Sequence, residues 1–221
     1  MGMQMTDFAR QRATMVASQI TPNDVSDPRI QQAAGDIPRE IFVPEDKRAV
    51  AYMSEPIEIA PGRWLMDPRC FGKLLQLADI AETDMVLDVG CGAGYPSAVI
   101  ARLAAHVYAL EEDRDLAARA VRAMKELDIA NVAVVTGALT QGHAAKAPYD
   151  VVVIEGAVEK IPDALTDQLK DGGKLVAIVS RGPIGKGQLW IKTRAGMSRR
   201  IAFDATIPLL PGFARAHGFV F

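Results

Sequence analysis

The sequence predicts a doubly wound α/β sheet, and three observations carry that expectation. Short continuous apolar runs alternate with helical segments between residues 84 and 180. Strands buried on both faces read as such runs, and their alternation with helices implies a parallel sheet. A Gly-x-Gly-x-Gly stretch, Gly90 to Gly94, follows the first run directly, at the strand end where open sheets hold their ligands. After Ser180 the alternation stops, and Gly/Pro-punctuated runs predict an antiparallel edge.

Taken in order, Thr6 is a cap for a helix carrying Phe8, Met15, Val16 and Ile20, ending before Thr21-Pro22. Asp27-Pro28 pairs an N-cap with proline at the first helical position and starts a short helix to about residue 34. Pro38 and Pro44 forbid a long helix over 37–44. Asp67-Pro68 repeats the capping signal before Phe71, Leu74, Leu75, Leu77 and Ile80, which share one helical face. Strands are then predicted at 85–89, 106–110, 132–135, 149–154 and 174–179, with helices after Gly94 and at 113–127 and 162–169. Right-handed crossovers wind these into a sheet covered on both faces. Residues 188–194, 199–208 and 218–221 are predicted as the strands of the antiparallel edge. The expected organisation is a helical N-terminal cap region over 1–83 and a ligand-binding core over 84–221, together one compact domain.

A length of 221 residues suits one domain, and 49% hydrophobic with 24% charged residues excludes disordered and collagen-like chains. With 25 basic against 27 acidic residues there is no electrostatic footprint for nucleic acid. Two cysteines and three scattered histidines give neither a disulfide framework nor a zinc-ligand spacing. Apolar runs fall short of the roughly 20 residues that span a bilayer, and the first residues carry no apolar signal core. The expected compartment is the cytoplasm.

The chemistry is concentrated in Val86-Leu-Asp-Val-Gly-Cys-Gly-Ala-Gly-Tyr95. Gly90, Gly92 and Gly94 allow a tight turn and close approach of backbone to a ligand. The helix that follows would offer free N–H groups to an anionic end of that ligand. The spacing is not the dinucleotide fingerprint, because Tyr95 stands where the third glycine would be. Asp88 precedes the glycines, and Glu111 closes the second core strand, placed to accept both hydroxyls of a ribose. Together these point to a nucleoside. Cys91 reads as a small packing residue without a histidine partner, and His143 as a surface loop residue.

On these residues and several more the chain resembles the protein-L-isoaspartate (D-aspartate) O-methyltransferase family of Rossmann-like, S-adenosylmethionine-dependent methyltransferases. Ile37-Pro-Arg-Glu-Ile-Phe-Val-Pro44, followed by Ala51-Tyr52, is similar to the family's VPREXFVP segment and AY pair. Asn131-Val132, Ala147-Pro148-Tyr149-Asp150, Ile161-Pro162 with Leu165, and Gln168-Leu-Lys-Asp-Gly-Gly173 match further family runs, as do residues 203–209. The resemblance implies S-adenosylmethionine as cofactor, held by Leu65, Met66, Asp88, Gly90, Gly92, Gly94 and Glu111, with Ala138 and Leu139 at the adenine. It places Ser54, Trp64 and Asp67 on the acceptor side. The implied partner is a protein or peptide carrying an isoaspartyl residue, or a small-molecule acceptor, with no nucleic acid and no membrane.

The departures bear on the acceptor. The family's GQTISQP segment reads Gly62-Arg-Trp-Leu-Met-Asp-Pro68, with Met66 at the serine position, so no catalytic residue is assigned. Ser54 replaces the usual Asp or Asn, and a GDG turn becomes Gly137-Ala138-Leu139. A lost hydrogen bond to a charged group is worth ~1.5–3 kcal/mol, so cofactor affinity would fall roughly 10- to 100-fold without compensation. Two alternatives follow: a divergent methyltransferase with another acceptor, or a cofactor-binding interaction protein without catalysis.

Overall fold

The computed structural model describes residues 2–215. The chain opens with helix α1 (Gly2–Met15), continued by a wider helical turn over Val16–Ile20. The backbone is thus helical from Gly2, and the expected start at Thr6 is corrected. Helix α2 (Pro28–Asp36) begins as expected: the Asp27 side chain accepts from the Arg29 N–H, and Pro28 fills a position where a missing N–H costs nothing. Short turns over Arg39–Phe42 and Glu45–Val50 follow.

A hairpin that the sequence reading did not foresee comes next, β1 (Ile57–Ala60) against β2 (Arg63–Leu65), antiparallel. Its strands are only four and three residues long, too short to leave an alternating signature. Gly62 makes the turn at φ 70°, where a Cβ would be strained. Helix α3 (Pro68–Ala78) is capped by Asp67, whose Oδ1 accepts from the Cys70 N–H at 2.9 Å.

The core follows the predicted alternation: β3 (Met85–Val89), α4 (Tyr95–Ile100), β4 (His106–Glu111), α5 (Arg114–Glu126), β5 (Val132–Thr136), β6 (Tyr149–Val158), α6 (Asp163–Asp167), β7 (Leu169–Val179), β8 (Gly185–Thr193) and β9 (Gly196–Ala205). They form one seven-stranded sheet ordered β5-β4-β3-β6-β7-β8-β9. The first five strands of that order are parallel, and β8 and β9 add antiparallel at one edge. The predicted segment 162–169 is helical only over Asp163–Asp167, because Leu169 already begins β7. The edge strands begin earlier than expected, at Gly185 and Gly196. The strand expected at 218–221 lies outside the described residues.

Every residue of β3 but the first is buried, as is nearly all of β6, which is why these strands read as continuous apolar runs. One sheet face packs Val86, Val151, Val153 and Val176 against Ile30, Phe42, Leu74 and Phe71 of the N-terminal segments. The other packs Leu87, Val89, Val152 and Ile154 with Leu139, Leu165 and Leu210. The N-terminal segments therefore complete the core as well as covering it. After β3 the chain winds outward through β4 and β5, then returns to the other side of β3 as β6. That reversal is the topological switch point, where the strand ends part and a ligand crevice forms.

Candidate functional site: the crevice between β3 and β6

Three left-handed glycines turn the chain out of β3, with φ 83° at Gly90, 58° at Gly92 and 103° at Gly94. The N–H groups of Gly90 and Cys91 both donate to Leu110 O of the neighbouring strand, at 2.8 and 3.2 Å, so the turn is fixed to the end of β4. Helix α4 is six residues long with Pro96 in its first turn, and Ala98 N already bonds Gly94 O at 3.0 Å. It offers fewer free N–H donors than the sequence reading expected, since proline has none.

Asp88 is fully buried. Its Oδ2 accepts from Ser97 Oγ on α4, and its Oδ1 has no partner among the described residues. Burial raises its carboxyl pKa to about 7, the Ser97 hydroxyl opposes that rise, and the Glu111 charge adds to it. Such a shift makes stability depend on pH. The unfolded carboxyl ionises near pH 4 and the folded one near 7, so folding loses stability as pH rises between them and is level above. An Asp88→Asn variant should therefore be more stable than the parent at pH 8, by about a few kcal/mol, and melt at a higher temperature. The gain should shrink steadily as pH falls toward 4; a difference that is constant between pH 4 and 8, in melting curves recorded across that range, would refute the account.

Glu111, at the end of β4, is fully buried and already engaged. The guanidinium of Arg63 grips it with two N–H groups, Nη1 on Oε1 and Nη2 on Oε2 at 2.7 Å. Arg63 Nη2 also reaches Gly90 O at 3.2 Å. The carboxylate accepts three backbone N–H groups as well, from Gly92 at 2.8 Å, Glu112 at 2.9 Å and Asp113 at 3.0 Å. The expected open ribose acceptor is thus corrected to a carboxylate in an internal ion pair. Position alone could not show this, because Arg63 is 48 residues away in sequence.

The glycine turn faces side chains of the chain itself. A Cβ on Gly92 would lie 2.6 Å from Ile59 Cδ1, and one on Gly90 3.2 Å from both Leu210 methyls and 3.4 Å from Arg63 Nη2. Leu210 also packs on Gly156 of β6, 3.0 Å from where its Cβ would be. Two backbone bonds fasten this segment to the end of β6: Leu210 N to Ala157 O at 2.8 Å and Ala157 N to Pro208 O at 3.1 Å.

The remaining expected residues divide. Leu65 and Met66 are buried beside Arg39, whose Nη2 donates to Met66 O at 2.5 Å and whose Nε donates to Ala51 O at 2.8 Å. Trp64 is half-buried on β2, opposite Glu58. Ser54 is exposed, and Asp67 is buried and caps α3 through its Oδ1. Ala138 is exposed and Leu139 buried, in a turn tied to β4 by Gly137 N on Glu111 O at 3.0 Å. Buried Gln168 holds the rest of that loop, accepting from His143 N at 2.8 Å and donating to Gln141 O at 2.7 Å. His143 is half-buried in this loop. Burial pushes the Cys91 thiol well above its ordinary range, in keeping with a packing residue.

Sequence reasoning missed Arg63, Leu210, Arg39 and Glu155. Glu155 ends the apolar run of β6 as Glu111 ends that of β4, a signal that was available. It is 4% exposed with neither oxygen partnered among the described residues. Burial and then Asp88 push its carboxyl well above the usual range, against the opposing pull of Arg39. Among the described residues, no group of three His, Cys, Asp or Glu side chains could hold a metal ion.

A parallel sheet with a glycine turn and an acidic strand end flanking its switch point defines a protein of the Rossmann-like nucleoside-binding class, the fold of class I methyltransferases. The chain belongs to the protein-L-isoaspartate(D-aspartate) O-methyltransferase family, whose sequence model matches residues 10–198. It is 35% identical over 204 residues to the protein-L-isoaspartate O-methyltransferase of Koribacter versatilis (strain Ellin345), covering 90% of each chain. It is 38% identical to that of Synechococcus sp. (strain JA-2-3B'a(2-13)), covering 81% of this chain and 74% of the relative. A solved protein-L-isoaspartate O-methyltransferase superposes with a TM-score of 0.78 at 23% identity, over 91% of this chain and 66% of the other. A Plasmodium falciparum protein assigned to the same enzyme group, in complex with S-adenosyl-L-homocysteine, gives 0.77 at 17% identity over 90% and 97%; at such identities these two likenesses show the fold. The family is one of S-adenosylmethionine-dependent methyltransferases acting on protein substrates. No helix among the described residues is long and apolar enough to cross a membrane.

Proposed function

We propose that the chain methylates the side-chain carboxylate of isoaspartyl residues in polypeptides, with S-adenosylmethionine as methyl donor. The observation that carries the reading is the extent of the family match, residues 10–198, which takes in both the glycine turn and the Gly62–Pro68 segment beside it. The residue chemistry fits such a donor. Gly90 and Gly92 present bare backbone to the crevice, against the side chains of Leu210 and Ile59, Glu111 is an acid of the kind that accepts ribose hydroxyls, and the unpartnered Asp88 Oδ1 is suited to an ammonium group. The donor would supply a methyl group already activated on a sulfonium.

The chain's own residues then have little bond-making to assist. A carboxylate acceptor, with an unperturbed pKa near ~4, is ionised at neutral pH and needs no base. What remains is alignment, which can contribute ~7–11 kcal/mol. Arg39 supports it by fixing the backbone at Ala51 and Met66 from beneath. The backbone at Ala138 and Leu139 would hold the adenine end in place of the missing carboxylate. Met66 and Trp64 make the acceptor wall apolar, so positioning rests on shape and backbone instead of a serine hydroxyl.

The test joins calorimetry with S-adenosylhomocysteine to methyl transfer assays on an isoaspartyl peptide and its normal aspartyl counterpart. Heat of binding and methylation of the isoaspartyl peptide alone are expected, with Met66→Ser raising turnover several-fold. Cofactor binding without turnover of that peptide would sink the acceptor assignment, and no heat at high micromolar ligand would sink the whole reading.

A further inference from the structure

Arg63 and Leu210 sit where the glycine turn and Glu111 would meet a nucleoside. The Arg63 guanidinium occupies both oxygens of Glu111 and touches Gly90 O. Leu210 lies on the open faces of Gly90 and Gly156, on opposite sides of the crevice. Both are buried, Arg63 to 5% and Leu210 to 3% exposure. A ribose can reach Glu111 only after the guanidinium leaves.

A guanidinium released there does not return to water. It is carried by β2, a three-residue strand, and its Nε already lacks a partner among the described residues. A buried charge stripped of its counter-ion is strongly unfavourable, so it needs another anion. The proposed reaction brings two carboxylates, the donor's own amino-acid end and the acceptor; the donor's is held on the far side of its sulfur from the ribose that takes Glu111, which leaves the acceptor carboxylate as the partner proposed for the guanidinium. Arg63 adjoins Trp64, which the family resemblance places on the acceptor side, and its planar fork matches a carboxylate with two parallel hydrogen bonds.

We propose that Arg63 exchanges carboxylates: it holds Glu111 while the crevice is closed by Leu210, and it holds the isoaspartyl carboxylate once a nucleoside has taken Glu111. This rests on the isoaspartyl reading and adds the residue that selects an anionic acceptor where the family's serine is missing. It also sets an order, cofactor before acceptor, because the acceptor's ligand is not free until Glu111 is occupied.

The exchange predicts effects of opposite sign in one variant. In Arg63→Gln the cofactor no longer competes with an internal partner, so the Kd for S-adenosylhomocysteine should fall fivefold or more, and the ligand should raise the melting temperature by more than it does in the parent. The KM for the isoaspartyl peptide should rise tenfold or more, with a smaller change in kcat, and Arg63→Lys should recover part of that KM. Leu210→Ala leaves the ion pair in place and should also bind S-adenosylhomocysteine more tightly; it measures the competition even where Arg63→Gln folds poorly. Unchanged or weaker ligand binding in both Arg63→Gln and Leu210→Ala, or an unchanged peptide KM in Arg63→Gln, overturns the exchange. Failure of the isoaspartyl reading is seen separately, in the parent protein, as no ligand binding or no peptide turnover before any variant is made.

Discussion

Glu111→Gln is expected to lower stability by about 3–5 kcal/mol, the cost of leaving the buried Arg63 charge without its counter-ion. For a chain of this size each kcal/mol moves the melting temperature by roughly 2–4 °C, so a fall of about 6–20 °C should be seen by calorimetry. The three backbone N–H groups on the carboxylate soften the loss only in part, because the glutamine carbonyl can accept some of them while its NH2 group faces the guanidinium. The same change removes the acid proposed for the ribose, so S-adenosylhomocysteine binding should weaken by tenfold or more. A double variant, Arg63→Met with Glu111→Gln, separates the two effects. Removing both charges should recover much of the stability, since a buried pair contributes far less than either orphan costs, while ligand binding stays weak. If the double variant melts as low as Glu111→Gln, the ion pair is not the source of the loss.

Gly94→Ala is the second substitution expected to have a large effect. Gly94 has φ 103°, a conformation that is costly for any residue with a Cβ. The added carbon would also stand 2.8 Å from Met124 Cε, 3.0 Å from Ala120 Cβ and 3.2 Å from Ala120 Cα. The methionine end can swing aside, but the Ala120 backbone belongs to α5 and moves only with the helix. Overpacking of this kind costs about 1–3 kcal/mol, and left-handed strain adds about 1–2 kcal/mol. The expected result is a loss of about 2–5 kcal/mol in urea unfolding, together with weaker cofactor binding, because the turn is displaced from Leu110 O. Unfolding within 1 kcal/mol of the parent would show that the turn and α5 can separate freely.

Much of this architecture is legible in the sequence because its causes are local. Asp27-Pro28 and Asp67-Pro68 start α2 and α3 through side-chain and proline geometry that needs no tertiary partner. The apolar run of β3 and the β-branched run of β6 announce strands buried on both faces, and the three glycines announce a turn at left-handed φ. The β1–β2 hairpin was not legible, since seven strand residues in two short pieces carry too little periodicity. Nor was the start of α1, where no capping residue marks Gly2.

The site divides along the same line. Asp88, Gly90, Gly92, Gly94 and Glu111 are tied to strand ends, and strand ends can be counted, so their meeting at one crevice follows from alternation and handedness. Asp67 shows the limit of position by analogy: the residue aligned with the acceptor side also caps the N-terminus of α3 through its Oδ1.

The sequence by itself determined a doubly wound sheet with a glycine turn and an acid at its switch point, because hydrophobic period, proline and glycine act over a few residues. Only the tertiary structure decided what fills that crevice. Arg63 and Leu210 reach it from 48 residues before Glu111 and from the far side of β6, and no local pattern records a contact made by two segments that meet solely because the chain between them has folded.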